Sequence, residues 1–245
     1  MPKPSIIPVD PAAVLEDWPP FSEAEIASGA RAQKGLVLFE DKARGLSVGL
    51  WEMEANESHW LDYPVNEFMI VLDGEVVIEE QDRSVSVRAG ESFILPKGLR
   101  CRWTQPGRVR KIFVIFDDPS GLVKAGHLET IKIDLGAKLS PSAPPSADVL
   151  LSPVPTQHTH DVFEDTSGQL SIGIWDTTGY RRKLIDFPRH ELMHLIEGSV
   201  TFTDDAGRTR TFRAGDTFFV PLGTPNAWAS EGYLRKIFVI FQPRA

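Results

Sequence analysis

The feature that most constrains this chain is an internal repeat. The string RKIFVIF occurs at residues 110–116 and again, letter for letter, at residues 235–241. The string RAG also occurs in both copies, at residues 88–90 and 213–215. Upstream of it the aligned residues are one position closer together in sequence, so we predict a one-residue insertion in a hairpin of the second copy. Further aligned pairs are Trp51 with Trp175, Asp62 with Asp186, Glu67 with Glu191, Met69 with Met193 and Gly74 with Gly198. Because one register spans almost the whole chain, we predict two copies of a unit of roughly 120 residues.

Composition indicates an ordinary globular protein with enough residues for two cores. The chain has 245 residues, of which 42% are hydrophobic, and a net charge of −8, which argues against a nucleic-acid partner because such a partner requires a basic patch. No apolar run approaches the roughly 20 residues of a membrane span, and the stretch MPKPSIIPVDPAAV lacks the apolar core of a signal peptide. A single cysteine excludes an intramolecular disulfide and suits a reducing compartment. We therefore expect a cytoplasmic protein that does not associate with membranes.

Each copy has the pattern of β-structure. Short apolar or alternating runs such as LSVGLWEM, EFMIVLDGEVVIEE and RKIFVIF are separated by Gly, Pro and Asp, which predicts an all-β sandwich or barrel. The best helix candidate is Ser22–Ala30, and Asp204 to Gly207 predicts a hairpin turn. Pro-rich residues 1–20 and 141–155 predict extended arms leading into the barrels. The predicted domains are residues 1–120 and 121–245, each a barrel with its arm.

Two strands of each copy are apolar on both faces. In EFMIVL, Glu67, Met69 and Val71 share one face while three large apolar residues share the other, and RKIFVIF alternates in the same way. A barrel that stood alone would expose one of these faces to water, so another surface must cover it. The candidates are the other barrel, the N-terminal arm or a second subunit. We expect barrel-on-barrel packing together with a homodimer.

The spacing of glycine, glutamate and proline resembles the cupin superfamily, whose members are small β-barrels of jelly-roll type. Glu67 followed by six residues and Gly74 resembles the end of the first cupin motif, as do Glu191 and Gly198. GESFILPKG and GDTFFVPLG resemble the start of the second motif. PKGLRCRW, RKIFVIF and PVNEFMIVLDGEV are similar to the cupin branch named after ureidoglycine aminohydrolase. The resemblance implies two tandem cupin jelly-roll barrels from an internal duplication, with extended N-terminal arms.

The histidine ligands that this resemblance implies are missing from both copies, and only the motif glutamates Glu67 and Glu191 are retained. Cupins hold a metal with two histidines and a glutamate from the first motif and a histidine from the second. The stretches aligned with the first-motif histidines are WLDY and LIDF, and the second-motif histidine falls on Cys101 and Asn226. Asp62 and Asp186 are conceivable further ligands. Because a catalytic transition metal usually needs three good ligands, typically imidazoles, we expect no metal and no cofactor, with manganese or another divalent ion as the alternative.

The interior candidates are therefore acidic and aromatic. Alternation points Glu67 and Glu191 into their barrels, where a carboxylate must be paired or hydrogen-bonded, or its pKa rises. Each glutamate either ties strands together or lines a pocket for a small polar ligand, and it is then the candidate general acid or base. Cys101 has no aligned histidine to activate it, which favours an inert thiol. The predicted ligand-binding residues are Asp62, Tyr63, Glu67, Cys101 and Trp103 in the first copy and Asp186, Glu191, Asn226 and Trp228 in the second.

Four histidines have a separate interpretation. His158 and His160 belong to an HxHxxxE string, but the repeat register aligns it upstream of the first clear strand of the copy, which favours a polar surface segment over a metal site. By alternation, His190 and His194 lie on the face opposite Glu191, so we expect an outward pair at the barrel interface. Our hypothesis is that this pair makes assembly sensitive to pH, provided that its pKa values are near neutrality.

Three functions remain open from the sequence. The one we favour is a cupin-domain protein that binds a small polar metabolite in one or both barrels without a family-type metal. The second is an enzyme, either a manganese-dependent aminohydrolase acting on a ureide, as the resemblance implies, or a metal-free isomerase using Glu67 or Glu191. The third is a scaffold whose barrels serve assembly. Nothing in the sequence favours one barrel over the other.

Overall fold

The computed structural model describes residues 3–119, 121 and 128–244, and its regular structure is almost entirely β-strand. The first strands are β1 (Ile7–Val9), β2 (Glu16–Trp18), β3 (Ile26–Gly29), β4 (Gln33–Asp41), β5 (Leu46–Met53), β6 (Asn56–Ser58), β7 (Leu61–Asp62), β8 (Asn66–Asp73), β9 (Glu75–Glu79), β10 (Ser84–Arg88), β11 (Ser92–Leu95), β12 (Arg100–Gln105) and β13 (Val109–Phe116). The later strands are β14 (Ile131–Lys132), β15 (Ser140–Ser142), β16 (Gln157–Glu164), β17 (Leu170–Thr177), β18 (Tyr180–Asp186), β19 (His190–Glu197), β20 (Ser199–Thr203), β21 (Thr209–Arg213), β22 (Thr217–Val220), β23 (Pro225–Ser230) and β24 (Leu234–Phe241). A 3₁₀ turn lies at Lys42–Arg44. Within the described ranges, no helix is long and apolar enough to cross a membrane.

The strands form two compact units. The N-terminal barrel contains residues 10–133 with 165–167, and the C-terminal barrel contains residues 3–9, 134–164 and 168–244 of the described chain. The predicted all-β pair of barrels with extended arms is confirmed. The predicted boundary at residue 120 lies outside the described residues.

Each barrel is built from a seven-stranded sheet and a smaller sheet. In the N-terminal barrel the large sheet has the order β14-β11-β8-β13-β5-β4-β2, and the second has the order β10-β9-β12-β6-β3, with β7 also paired to β12. In the C-terminal barrel the orders are β1-β22-β19-β24-β17-β16-β15 and β18-β23-β20-β21. Strands that correspond in the repeat occupy corresponding places, so the duplication in sequence is a duplication of topology.

The arm strands are exchanged between the two copies. In the repeat register β1 corresponds to β14, since Ile7–Asp10 aligns with Ile131–Asp134. Yet β1 pairs with β22 of the C-terminal barrel, and β14 pairs with β11 of the N-terminal barrel. Each barrel therefore completes its large sheet with a strand from the other copy of the repeat.

The cores follow the predicted alternation along the central strands. β13 pairs with β8 so that Phe113 lies opposite Met69 and Ile115 opposite Glu67, which places these residues on the interior face together with Lys111. The other face of β13 is also apolar, and Val114 and Phe116 on it are buried. The burial agrees with the expectation that a two-faced apolar strand is covered on both sides, while the expected homodimer stays a prediction.

A glycine ends the strand that carries each motif glutamate. Gly74 and Gly198 follow β8 and β19 with φ of 87° and 80°, a left-handed conformation that favours glycine. A Cβ at Gly74 would lie 2.1 Å from the Arg108 carbonyl oxygen, and one at Gly198 would lie 2.1 Å from that of Tyr233. The glutamate-to-glycine spacing of the motif is therefore required by the turn.

The one-residue insertion lies in a hairpin, as predicted. In the first copy the Glu80 N–H donates to the Arg83 carbonyl, whereas in the second copy the Asp204 N–H donates to the Arg208 carbonyl, one residue further along. Gly207 supplies the positive φ of 77° that the longer turn uses. The turn predicted from Asp204 to Gly207 is thus confirmed.

The helix predicted over Ser22–Ala30 is wrong, because a turn and strand β3 occupy this range. The local signal is real for one turn, since the N–H and hydroxyl of Ser22 both donate to the Glu25 carboxylate at 2.8 Å. The turn does not continue, because β3 pairs with β6 and Gly29 has a φ of 89°. Pairing with a distant strand overrides the local preference for helix.

Candidate functional site

A buried ion pair lies inside the N-terminal barrel. Glu67 on β8 and Lys111 on β13 are 4% and 6% exposed. Lys111 Nζ donates to Glu67 Oε1 at 2.8 Å and lies 3.1 Å from Met69 Sδ. Two buried charges are unfavourable unless they pair closely, and this separation satisfies that condition. The pair therefore fixes both side chains at the interior wall.

Two tryptophans enclose the ammonium group of Lys111. Its Nζ lies 4.8 Å from the ring centroid of Trp51 and 4.7 Å from that of Trp103, distances at which cation–π attraction contributes up to about 2 kcal/mol in a desolvated site. The indole N–H of Trp51 donates to Gln33 at 2.7 Å, and that of Trp103 donates to Gln105 at 2.8 Å. The aromatic walls are therefore held in place by the protein's own hydrogen bonds.

Tyr63 adds a third polar group beside this pair. Its hydroxyl donates to Glu67 Oε2, while Oε1 accepts from Lys111. Burial, followed by the negative charge of Glu67, raises the pKa of Tyr63 well above its usual range. The phenol therefore keeps its proton, and its oxygen still has lone pairs that can accept a hydrogen bond from a ligand.

Tyr63, Glu67, Lys111 and Trp103 line a cavity of about 540 Å³. This volume is typical of sites for small molecules. The aromatic part of the wall consists mainly of Trp18, Phe21, Trp51, Trp60, Trp103 and Phe113. A few converging polar groups on a largely aromatic wall can orient a small polar molecule and pack against its apolar part.

Two of the predicted residues of the first copy lie away from this cavity wall. Asp62 is exposed and forms a 3.5 Å ion pair with Arg100. Cys101 is 1% exposed within an apolar cluster, and burial raises the pKa of its thiol to about 12, which is the behaviour of an inert thiol. The structure therefore brings Tyr63, Glu67 and Trp103 together and leaves the other two outside.

The C-terminal barrel repeats the ion pair with an added arginine. Lys236 Nζ donates to Glu191 Oε1 at 2.6 Å, and Arg189 Nε donates to Oε2 at 3.0 Å. Burial alone would raise the pKa of Glu191, but the charges of Lys236 and Arg189 outweigh it, so this pKa lies below its usual range. Lys236 Nζ also lies 4.8 Å from the ring centroid of Trp175. Glu191 is thus an ionised group between two cations.

Side chains of β18 enter the interior of the C-terminal barrel, where the first copy has smaller residues. Tyr180 stacks on Trp228 with centroids 5.5 Å apart, and Arg182 donates to the Asn226 backbone and side-chain oxygens at 2.7 and 2.6 Å. The aligned residues of the first copy are Asn56 and Ser58, both at the cavity wall. Asp186, the remaining predicted residue, is exposed. The two barrels therefore differ in the side chains that lie beside their aligned tryptophans, Trp103 and Trp228.

The residues present do not fit the metal that the cupin resemblance implies. Among the described residues, no group of three or more His, Cys, Asp or Glu side chains could hold an ion together. In each barrel the motif glutamate already binds a lysine ammonium group: Glu67 binds that of Lys111, and Glu191 binds that of Lys236. A metal cation beside either carboxylate would meet the charge of that lysine at close range. The lysine thus stands where a cation would bind the glutamate.

Three of the four histidines make contacts within the C-terminal barrel. His158 lies in the predicted polar surface segment, which forms strand β16. Its Nδ1 is 2.7 Å from Asp176 Oδ1. His160 on the same strand is exposed. His190 is buried and stacks on Phe219. His194 Nδ1 lies 2.8 Å from the Thr217 hydroxyl, and burial lowers its pKa.

Sequence reasoning missed the two lysines and the β18 residues. Lys111 and Lys236 belong to the repeated RKIFVIF string, and alternation alone places each on the interior face with the following phenylalanine. A charge at the same interior position in both copies was the available signal for a buried ion pair. Tyr180 and Arg182 gave no such signal, because their positions hold different residue types in the first copy.

Comparisons with known proteins extend over both copies. The sequence model of the EutQ-like cupin domain matches residues 40–113 and again residues 164–238. An 84-residue part of the chain is 33% identical to the acetate kinase EutQ of Clostridioides difficile (strain 630), and this match covers 34% of this chain and 52% of that protein. The chain thus spans about half the length of this curated relative.

Two solved structures are similar over most of their length. A protein of unknown function from Pseudomonas syringae pv. tomato, which belongs to the DUF861 family, is 28% identical with a TM-score of 0.81, covering 97% of this chain and 100% of that one. A cupin 2 conserved barrel domain protein from Leptotrichia buccalis is 10% identical with a TM-score of 0.56, covering 88% of this chain and 91% of that one. The second likeness shows the fold alone.

Proposed function

This chain belongs to the EutQ-like cupin domain family, and from that premise we propose that it binds a small polar metabolite in its N-terminal barrel without a family-type metal. The observation that carries the proposal is the cavity of about 540 Å³ whose wall includes Tyr63, Glu67 and Lys111. Buried polar groups at a cavity wall are expensive to maintain unless they have partners. Here the protein supplies those partners itself, and the Tyr63 oxygen can still accept a hydrogen bond from a ligand.

The charge of the buried Glu67–Lys111 pair restricts the class of ligand that can bind beside it. Glu67 neutralises Lys111 at 2.8 Å, so this polar group carries no net charge. A ligand ion that loses its water in the cavity needs an opposite charge, and both charges of the Glu67–Lys111 pair are already used by each other. The proposed ligand is therefore neutral or zwitterionic, with a polar group at Tyr63 and a planar or apolar part against the tryptophans.

The N-terminal barrel is the proposed site because its interior offers space that the C-terminal barrel fills in part. Trp103 lines the cavity, whereas the aligned Trp228 is 4% exposed beneath the stacked ring of Tyr180. The same indole position is therefore open to a ligand in one barrel and covered in the other.

The placement in the ureidoglycine aminohydrolase-like branch, with a manganese-dependent reaction on a ureide, stays an alternative. Its chemistry would require a metal beside Glu67 or Glu191, where the lysine ammonium groups lie. A metal-free isomerase would use the same cavity as the proposed binding site and would turn its ligand over. The two alternatives are separated from simple binding by metal content and by product formation.

The test is a ligand screen with a matched pair of variants. Thermal unfolding is measured with neutral and zwitterionic metabolites, and affinities of hits are measured by calorimetry for wild type, Trp103→Phe and Trp228→Phe. We expect a hit to raise Tm by mass action, with an affinity about tenfold weaker in Trp103→Phe and unchanged in Trp228→Phe. The matched variant controls for the general cost of shrinking a barrel tryptophan.

Several outcomes would replace the proposal. Equal weakening in both variants would remove the cavity as the site. Stoichiometric manganese, zinc or iron in freshly purified protein would contradict the metal-free interpretation, and product from a bound compound would make the protein an enzyme. If no compound changes Tm, the scaffold interpretation takes precedence.

A further inference from the structure

The interior of the C-terminal barrel holds more positive charge than its carboxylate neutralises. Lys236 and Arg189 share the single carboxylate of Glu191. Arg182 is 6% exposed, and within the part of the chain that the structure describes it forms no ion pair with an acidic side chain. A buried guanidinium normally has an opposite charge beside it. Arg182 is therefore a buried cation that lacks a counter-ion.

The hydrogen bonds of Arg182 leave one edge of its guanidinium unused. Nη1 donates to the Lys183 carbonyl at 3.2 Å and to the Asn226 carbonyl at 2.7 Å, and Nη2 donates to Asn226 Oδ1 at 2.6 Å. These three bonds go to uncharged acceptors and use three of the five N–H groups. The Nε–H and the second Nη2–H remain without an acceptor among the described residues. Those two groups form the edge that binds a planar carboxylate through two parallel hydrogen bonds.

A second unused donor lies on the same strand face. Tyr180 and Arg182 are two residues apart on β18, so their side chains are neighbours on one face of the strand. Tyr180 is 7% exposed and its ring stacks on Trp228, yet no described residue accepts a hydrogen bond from its hydroxyl. The hydroxyl oxygen itself is not fully enclosed by the protein, so a small molecule can contact it. Two independent donors are thus left for a ligand.

The cations of this interior also act on one another. Burial lowers the pKa of Lys236, and the charges of Arg189 and Arg182 add to that lowering against the effect of Glu191. Burial likewise lowers the pKa of Arg182. Arg189 keeps 38% of its side chain exposed while it contacts Glu191, so this group of charges reaches the surface through one side chain.

We propose that the C-terminal barrel binds a small carboxylate anion on the free edge of Arg182, with the Tyr180 hydroxyl as a further donor. The anion supplies the missing negative charge, and Arg189 and Lys236 add to the positive potential that attracts it. The site is distinct from the cavity of the N-terminal barrel, where the Glu67–Lys111 pair is neutral. It stands or falls independently of the function proposed for that cavity.

The repeat explains why only one copy has this site. Tyr180 and Arg182 align with Asn56 and Ser58, and Arg189 aligns with Val65. The glutamate and the interior lysine are common to both copies, whereas the donors for an anion occur in the second copy alone. The duplicated barrels have therefore acquired different ligand chemistries.

The experiment uses acetate as the probe and three variants of β18. Acetate binding is measured by NMR titration and by thermal shift in a carboxylate-free buffer, with sodium chloride at equal ionic strength as the reference. Arg182→Met removes the free edge, Tyr180→Phe removes only the hydroxyl, and Arg181→Met is the matched control on the outward face, where Arg181 is 65% exposed. We expect acetate affinity to fall more than about tenfold in Arg182→Met and about three- to tenfold in Tyr180→Phe, and to be unchanged in Arg181→Met.

The remaining outcomes distinguish this site from the N-terminal cavity and from non-specific anion binding. Unchanged acetate binding in Trp103→Phe is expected and shows that the N-terminal cavity is not responsible. Tyr180→Phe retains the stacked ring, so its result decides the matter even where Arg182→Met fails to fold. A chloride response equal to that of acetate, tighter binding of phosphate, or equal acetate affinity in wild type and Tyr180→Phe would each overturn the proposal.

Discussion

The arginine and the lysine that begin the repeated RKIFVIF string have different roles in each barrel. Each lysine points inward and neutralises a glutamate that is at most 4% exposed. Each preceding arginine, Arg110 or Arg235, binds backbone carbonyls of an arm segment. The Arg-Lys dipeptide therefore supplies both an interior ion pair and an arm contact in each barrel. These shared contacts account for the identity of both residues in the two copies.

Glu191 makes a testable contribution to stability. Glu191→Gln leaves Lys236 and Arg189 without their carboxylate, and we expect a loss of about 3–5 kcal/mol at neutral pH, the cost of breaking a buried pair. Because the pKa of Glu191 is lowered in the folded protein, its contribution is present above the usual carboxyl pKa and is lost as the pH falls below about 4.5. Urea unfolding from pH 7 to pH 3 measures both effects. Asp186→Asn, at an exposed position, is the control, and an equal loss in both variants would contradict the assignment.

His194 predicts a second pH dependence with a different window. Burial lowers its pKa, against the charge of nearby Asp216, so the unfolded chain takes up a proton at a pH where the folded protein does not. Stability should therefore fall as the pH drops through about 6.5, by at most about 1.4 kcal/mol per pH unit. Urea unfolding at pH 7.5 and 5.5 should show a smaller difference in His194→Asn than in wild type. His160→Asn, at an exposed position, should behave as wild type; if it removes the difference equally, His194 is not the source.

At the scale of elements, the arms and β18 determine how the two copies differ. The arm strands β1 and β14 are exchanged, so each large sheet ends in a strand from the other copy. On β18, Tyr180 and Arg182 occupy interior space beside Trp228. Neither difference changes the order of the common strands, so the interior side chains of the two barrels differ while the topology is retained.

The contact between Arg110 and its arm can be tested by hydrogen exchange. Arg110 donates to the carbonyls of Pro11 and Ala13 at 2.8 and 2.6 Å. Arg110→Met should speed exchange of the amides at residues 12–18 by about tenfold or more, since a hydrogen bond from a charged group contributes about 1.5–3 kcal/mol. Arg108→Met is the control, because Arg108 is half-exposed in a surface pair with Asp73. Equal exchange in both variants would show that Arg110 does not hold the arm.

At the scale of the whole molecule, the expected homodimer remains a prediction. The prediction came from strands that are apolar on both faces. The outer-face residues Val114 and Phe116 are buried within one chain, so the dimer needs a test of its own. Light scattering coupled to size exclusion should give twice the chain mass of 27.3 kDa at pH 8. The same measurement at pH 5.5 tests whether His190 and His194 make assembly sensitive to pH. A single mass equal to that of one chain at pH 8 would contradict the dimer.

The sequence alone determined the duplication, the all-β class, the turn glycines and the inward direction of both glutamates. These follow from local rules, since strand alternation fixes which side chains share a face and a positive φ favours glycine. The sequence also identified Tyr63, Glu67 and Trp103 as candidate ligand-binding residues, and the structure brings these three to one cavity wall.

Only the tertiary structure decided which strand each arm joins and why Ser22–Ala30 is not a helix, because both depend on pairing with residues distant in sequence. It also decided that the lysines neutralise the glutamates, that Asp62 faces solvent, and that one barrel has an open cavity where the other has Tyr180 and Arg182. The physical reason is that charge pairing and free volume depend on distances between strands, and these distances are set only when the sheets are assembled.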